Sequence, residues 1–304
     1  MKKTVLILGG NGFIGRNLAH AMNKKGYIVY SFDMSLPLKN EEGINYIQGD
    51  FFDDDTLFDL IQGKNIIYHA ISTVNPGNSN KKFMQGYERD FVQTVKLCGW
   101  LKNTNTKMIF LSSGGTVYGN QEIQPIKETA VPVPINHYGN VKLCIENTIR
   151  TFNFQNSTNI LVARISNPYG PGQDYHKGVG FIDAALKCTL EHKPIEIWGD
   201  GENVRDYIYI DDVCEMLITL AEYNGDETTF NLSSGKGMSL NDIVSIIRNK
   251  IADVDVIYKE HRSVDARRIV LSNDRICEIY TGNMLDIEDG IEKYADYLRT
   301  IQMY

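Results

Sequence analysis

The chain lacks the residue patterns that build disulfide frameworks and metal sites. Its five cysteines, Cys98, Cys144, Cys188, Cys214 and Cys277, are scattered among 304 residues with no CxxC and no Cys/His cluster at ligand spacing. A disulfide scaffold and a structural zinc site are thereby excluded. Most of the five sit in apolar helical patterns, so they are read as buried free thiols suited to a reducing cytoplasm. The six histidines form neither HxxxH nor HxE, and no metal is expected. With a net charge of −7 and no basic block, the chain offers no nucleic-acid or anionic-membrane surface. MKKTVLILGG begins like a secretory leader, but its apolar run stops at Leu8 and glycines follow; no other run approaches a membrane span. Linkers, repeats and low-complexity segments are missing too. What is present is 42% apolar content, ample for a core in one large α/β domain or two smaller ones.

The first informative stretch is the apolar run Thr4-Val5-Leu6-Ile7-Leu8, followed by Gly9-Gly10-Asn11-Gly12-Phe13-Ile14-Gly15 and a helical pattern from Asn17 to Lys25. Strand, glycine turn and helix stand in the order that cradles a dinucleotide. Gly9 serves the tight turn, Gly12 the close approach of backbone to a pyrophosphate, and Gly15 the packing of helix on strand, with the anion on the helix N-terminus. A second strand, Tyr27 to Phe32, ends at Asp33, whose carboxylate can accept both adenosine ribose hydroxyls and would repel a 2′-phosphate. NAD is therefore favoured over NADP. The alternation continues through Ile44–Gln48, a helix near Asp55 to Gln62, and a strand Asn65 to Tyr68 ending at His69-Ala70. A parallel sheet with crossover helices follows. Asp50-Phe51 would lie beside the adenine, Asp50 being equally readable as a turn residue, and Ala70-Ile71-Ser72 beside the middle of the dinucleotide.

A long helix from about Lys82 to Lys102 precedes the strand Lys107–Leu111, and Ser112-Ser113-Gly114-Gly115-Thr116-Val117-Tyr118-Gly119 follows at the carboxyl edge of the sheet. Tyr138 and Lys142, four apart, share one helix face, so a phenol stands beside an ammonium. That spacing gains meaning only from the cofactor loop upstream.

Further on stand Arg164-Ile165-Ser166-Asn167-Pro168-Tyr169-Gly170-Pro171-Gly172 and Trp198-Gly199-Asp200-Gly201, then Arg205-Asp206-Tyr207-Ile208-Tyr209-Ile210-Asp211-Asp212. With the glycine loop, Asp33 and Tyr138/Lys142, this ordered set resembles the extended short-chain dehydrogenase/reductase family, and within it the nucleotide-sugar 4-epimerases. The likeness spans nearly the whole chain. It implies a Rossmann-type doubly wound parallel sheet with a smaller C-terminal α/β substrate lobe. Residues 1–170 would form the NAD-binding domain, rejoined by roughly 203–232, and 171–202 with 233–304 the nucleotide-sugar-binding lobe.

The resemblance also implies roles. Tyr138 would take the proton of the sugar C4 hydroxyl while NAD oxidises C4 to a ketone, and the reversal on the other face would invert C4. A free tyrosine titrates near pH 10, so its anion needs the positive charge of Lys142 and of the oxidised nicotinamide; Lys142 would also hold the nicotinamide ribose. The family's usual Ser or Thr partner is replaced by Gly114, leaving Ser113 and Thr116 as candidates. Dehydratases of similar sequence carry an Asp-Glu pair where Gly115-Thr116 stand, so epimerase ranks above dehydratase or keto-sugar reductase, and a non-catalytic nucleotide sensor comes last. Asp90 stands where an Asn is common. On the substrate side the resemblance implies a phosphate donor at Asn167, pyrophosphate-binding arginines at Arg205 and Arg262, a pocket wall at Phe181 and an N-acetyl gate near Ile269. The expected ligand is a UDP-hexose and the expected assembly a homodimer, paired through helices near Gln85 to Leu101 and Tyr138 to Phe152.

Overall fold

The protein is described from a computed structural model, which covers residues 2–156, 158–174, 180–260 and 266–302. Strands β1 (Thr4–Leu8), β2 (Ile28–Asp33), β3 (Ile44–Gln48), β4 (Ile66–His69), β5 (Lys107–Ser113) and β6 (Asn159–Ile165) are separated by helices, except that β2 leads directly to β3. After them come β7 (Asn167–Tyr169), β8 (Ile195–Trp198), β9 (Val204–Tyr209), β10 (Thr229–Leu232), β11 (Gly237–Ser239), β12 (Val256–Lys259) and β13 (Arg268–Ile269). One seven-stranded sheet has the order β10-β6-β5-β4-β1-β2-β3, with every pairing parallel. This is the doubly wound arrangement that alternating strands and helices predict.

Central strands of such a sheet are covered on both faces, which is why Val5, Leu6, Ile7 and Leu8 form a continuous apolar run that is fully buried. Helix Phe13–Lys24 covers one face with Gly15, Leu18, Ala19 and Met22. Each fully buried Leu or Met side chain contributes about 1.5–3 kcal/mol to that packing.

Strand order reverses at β1: the chain runs to β2 and β3 on one side, and to β4, β5, β6 and β10 on the other. The carboxyl ends at Leu8, Asp33, His69 and Ser113 therefore converge on one edge, where such sheets bind ligands. Smaller sheets stand apart from it. β11, β9 and β13 pair in sequence, with β7 on β9, and β12 pairs β8. Of the stretch 203–232, β9 lies in the smaller sheet, helix Ile210–Glu222 packs on helix Phe13–Lys24, and β10 extends the larger sheet.

The expected uninterrupted helix from Lys82 to Lys102 is corrected. Phe83–Gln85 leads into a π-helical stretch, Gly86–Phe91, before regular helix resumes at Val92–Trp100. Such bulges gather at functional sites because they turn side chains out of helical register. Asp90 sits in this one, buried.

All five cysteines are free; Cys98 and Cys214 are buried, whereas Cys277 is exposed. No helix among the described residues is long and apolar enough to cross a membrane.

Candidate active site

The glycine loop is shaped by contact rather than by sequence habit. Gly9 has φ +87°, and a Cβ there would stand 3.2 Å from the Ala70 carbonyl carbon. A Cβ on Gly15 would lie 2.1 Å from the Gly9 oxygen, so no larger residue lets the helix start against the loop. Gly12 caps that helix with no side chain, leaving its first N–H groups for an anion. The loop is pinned when Gly9 N and Gly10 N donate to the Phe32 carbonyl at 2.9 and 3.0 Å. Asp33 accepts from Asn11 N at 3.1 Å, fixing its carboxylate at the end of β2. The cradle and the carboxylate together fit NAD. Phe13 and Ile14 open the helix. Asp50 accepts from Phe52 N at 3.0 Å, as a turn residue does. The Phe51 ring is buried, its centroid 5.0 Å from that of His69, so this side chain packs the core.

Across the edge, Asn136 Oδ1 accepts from Gly139 N at 2.8 Å and starts helix His137–Asn156, which carries Tyr138 and Lys142. Lys142 is buried: Nζ donates to the Leu111 carbonyl at 3.0 Å and lies 4.7 Å from the Phe110 ring centre and 5.6 Å from that of Tyr138. Burial pulls its pKa down to about 8, against the attraction of Asp90 and Glu146. Burial of the Tyr138 hydroxyl and then the negative charge of Asp90 push its pKa up to about 12, while Ser113 beside it acts to lower it.

Ser113 and Thr116 differ in what holds them. Ser113 stands beside Tyr138 and favours its ionised form, whereas Thr116 Oγ1 donates back to the Ser113 carbonyl at 3.5 Å. Both line the same cleft as Tyr138. Gly114 between them is filled from elsewhere, since a Cβ there would be 2.3 Å from Leu271 Cδ1. Gly115 lines the cleft, and the nearest atoms a Cβ there would meet belong to Asn167 and Ser166 at 3.7 Å and beyond, ordinary contact distance.

That cleft has a volume of about 560 Å³, and Asn167, Phe181, Trp198, Arg205 and Ile269 line it too. Asn167 Nδ2 donates to the Asp206 carbonyl at 3.0 Å, and Phe181 opens helix Phe181–Leu190 after Gly180. Arg205 donates to the Val204 carbonyl at 2.9 Å. Arg262 lies outside the described residues. The two sheets thus bring Ser113, Thr116, Tyr138, Asn167, Phe181 and Arg205 to one space, with Phe13 of the glycine loop at its rim.

The partners of three supporting groups were not visible in the sequence. Glu146 pairs with Arg164 at 2.6 Å and accepts from Ser112 Oγ at 2.5 Å, while Arg164 donates to Tyr118 OH at 2.8 Å. This buried network backs the helix one turn beyond Lys142. Asp206 accepts from Ser234 N and Oγ at 2.9 and 2.8 Å and from Gly235 N and Leu271 N at 3.2 Å each. Burial nevertheless raises it to about 6. Asp90 accepts from Ser72 and Thr73. Only its departure from the common Asn singled it out, and residue type alone could not say what it holds.

A family model described as NAD dependent epimerase/dehydratase family matches residues 5–233. A dTDP-4-dehydro-6-deoxyglucose reductase of Escherichia coli is 31% identical, over 98% of this chain and 98% of the relative. A putative UDP-glucose 4-epimerase of Methanocaldococcus jannaschii is 27% identical, over 97% and 98%. The crystal structure of UDP-glucose 4-epimerase from Thermotoga maritima with UDP-glucose superposes with a TM-score of 0.92 at 26% identity, covering 98% of this chain and 99% of that one.

Proposed function

This chain belongs to the NAD dependent epimerase/dehydratase family, and from that premise we propose that it inverts C4 of a UDP-hexose, glucose/galactose or their N-acetyl forms, through a transient 4-keto sugar. NAD is the cofactor, and the Gly9–Gly15 cradle and Asp33 would hold it. When bound, NAD supplies a reversible two-electron oxidation of the carbinol carbon. Tyr138 takes the proton of the C4 hydroxyl and returns it; Lys142 compensates the phenolate while that proton is away. Ser113, which stands beside Tyr138, orients the sugar hydroxyl toward it. Arg205 and Asn167 hold the diphosphate, the arginine by its bidentate fork, with Arg262 proposed as a second arginine.

The observation carrying this reading is the pair Gly115-Thr116 beside Tyr138, neither of them an acid. Eliminating water from a sugar needs an additional acid and base, and Gly115 has no side chain while Thr116 offers only a neutral hydroxyl. An epimerase needs room for the keto sugar to turn, and Gly115 lines the cleft. A second reading, reduction of a 4-keto-6-deoxy sugar nucleotide, is favoured by the name of the Escherichia coli relative. It uses the same proton transfer in one direction only.

Incubation with UDP-glucose or UDP-N-acetylglucosamine, followed by proton NMR of the sugar, tests the choice. Inversion without net redox supports epimerisation; stoichiometric NADH loss on a 4-keto sugar supports reduction. Exposed Phe83, Met84 and Val92 beside helix His137–Asn156 support pairing of two copies through these helices.

A further inference from the structure

Strand β9 and the residue before it present side chains to the cleft in alternation. Tyr207, Arg205 and Asn203 line it, while Asp206 turns the other way, to Ser234, Gly235 and Leu271. The two ends of this row differ. Tyr207 pairs in register with Asn167 of β7, and Asn167 supplies the atom nearest to a Cβ on Gly115, so the Tyr207 end is the one beside the reacting groups. Alternate residues of a strand stand about 6.6 Å apart. Arg205 is therefore one step from that end and Asn203 two.

Asn203 is only 8% exposed, and its Oδ1 is buried with no hydrogen-bond partner among the described residues. The turn that carries it is held from two sides. Arg267 pairs with Asp200 at 2.8 Å, and Asn241 Nδ2 donates to the Asp200 carbonyl at 3.0 Å and to Glu202 Oε1 at 2.7 Å. Val204 N donates to the Arg267 carbonyl at 2.9 Å directly after it. A buried acceptor without a donor destabilises the protein that holds it, and a ligand hydroxyl brought to it relieves that cost while bound. The terminal torsion of an asparagine is broad, so either pole of the amide can turn to the cleft.

We infer that Asn203 is a nucleotide-recognition residue whose amide holds a ribose hydroxyl of the nucleoside diphosphate. The inference rests on the proposed placement of the diphosphate at Arg205. From a phosphate held there, the next group away from the sugar is the ribose, joined through a single methylene, whereas the base lies a further ring away. One strand step beyond Arg205 is the place of the ribose.

The test is calorimetric titration of the NAD-loaded protein with UDP, 2′-deoxy-UDP and 3′-deoxy-UDP. The wild type should bind one of the deoxy analogues about three- to tenfold more weakly than UDP, the range of one hydrogen bond. Asn203→Leu, of similar volume, should bind UDP as weakly as the wild type binds that analogue and no longer tell the two apart; Asn203→Ala should do the same. Because Oδ1 has no partner to lose, nucleotide-free Asn203→Leu should melt no lower than the wild type. Equal affinity of the wild type for all three nucleotides, or an unchanged preference in both variants, overturns the inference. So does a lower melting temperature with all three nucleotides weakened alike, which would mark a structural role. These titrations need no turnover: absence of C4 inversion counts against the reaction alone, whereas failure of UDP to bind at all would overturn the nucleotide-sugar reading and this inference with it.

Discussion

Leu271 occupies the space that a side chain at position 114 would require: a Cβ built on Gly114 lies 2.3 Å from Leu271 Cδ1 and 3.1 Å from the Arg164 carbonyl oxygen. The missing hydroxyl at 114 is therefore a packing consequence. Gly114→Ser should destabilise by about 1–3 kcal/mol through overpacking. In Gly114→Ser/Leu271→Ala the two losses should fall short of their sum, since each change removes part of the other's strain. Thermal denaturation of the four proteins checks this, and strict additivity would show that the two positions do not compete.

With position 114 silent, the proposed hydroxyl partner of Tyr138 has to come from a neighbour, and Ser113 is the one that acts on the phenol. Ser113→Ala is expected to lower kcat about 10²–10³-fold, the usual cost of one lost transition-state donor. Thr116→Val, whose hydroxyl turns to the Ser113 carbonyl, should cost far less. Steady-state kinetics with each variant would reverse the assignment if Thr116→Val were the more damaging.

Much of this site was legible because it is local. The glycine loop, Asp33 at a strand end and the Tyr138/Lys142 spacing are each encoded within a few residues. The seven-stranded parallel sheet followed from the alternation of apolar strands and helices. What escaped is long-range. Leu271 reaches Gly114, Arg164 meets Glu146 across a strand and a helix, and Asp206 collects donors from three segments; no periodicity announces such pairs. The balance at Tyr138 escaped for the same reason: charge could be read from Lys142, but burial of the phenol and the negative charge of Asp90 could not.

Lys142 is held at a cost. Its folded pKa of about 8 lies below the ordinary 10.5, so the folded state binds fewer protons than the unfolded chain between those values. Stability should therefore rise with pH from about 8 to 10.5, and below 8 the full penalty remains. In cofactor-free protein, Lys142→Met should raise the melting temperature at pH 7 by removing a penalty of up to about 3 kcal/mol, with little gain near pH 11. Activity should be lost. Equal gains at both pH values would show that packing, not charge, accounts for the effect.

Arg205 lines the same cleft as Tyr138. Arg205→Ala should raise KM for a UDP-sugar about 10–100-fold, the range of one lost charge-assisted contact. The effect on kcat should be smaller. A drop confined to kcat would place Arg205 at the reacting carbon instead of the diphosphate.

The most direct test of the proposed reaction is proton NMR of UDP-glucose incubated with the purified protein and NAD. The account predicts that the anomeric signal of UDP-galactose grows in to an equilibrium mixture while NAD is not consumed, and that Tyr138→Phe abolishes this. No inversion of UDP-glucose or UDP-N-acetylglucosamine, with stoichiometric NADH consumption on a 4-keto-6-deoxy sugar nucleotide, would contradict it.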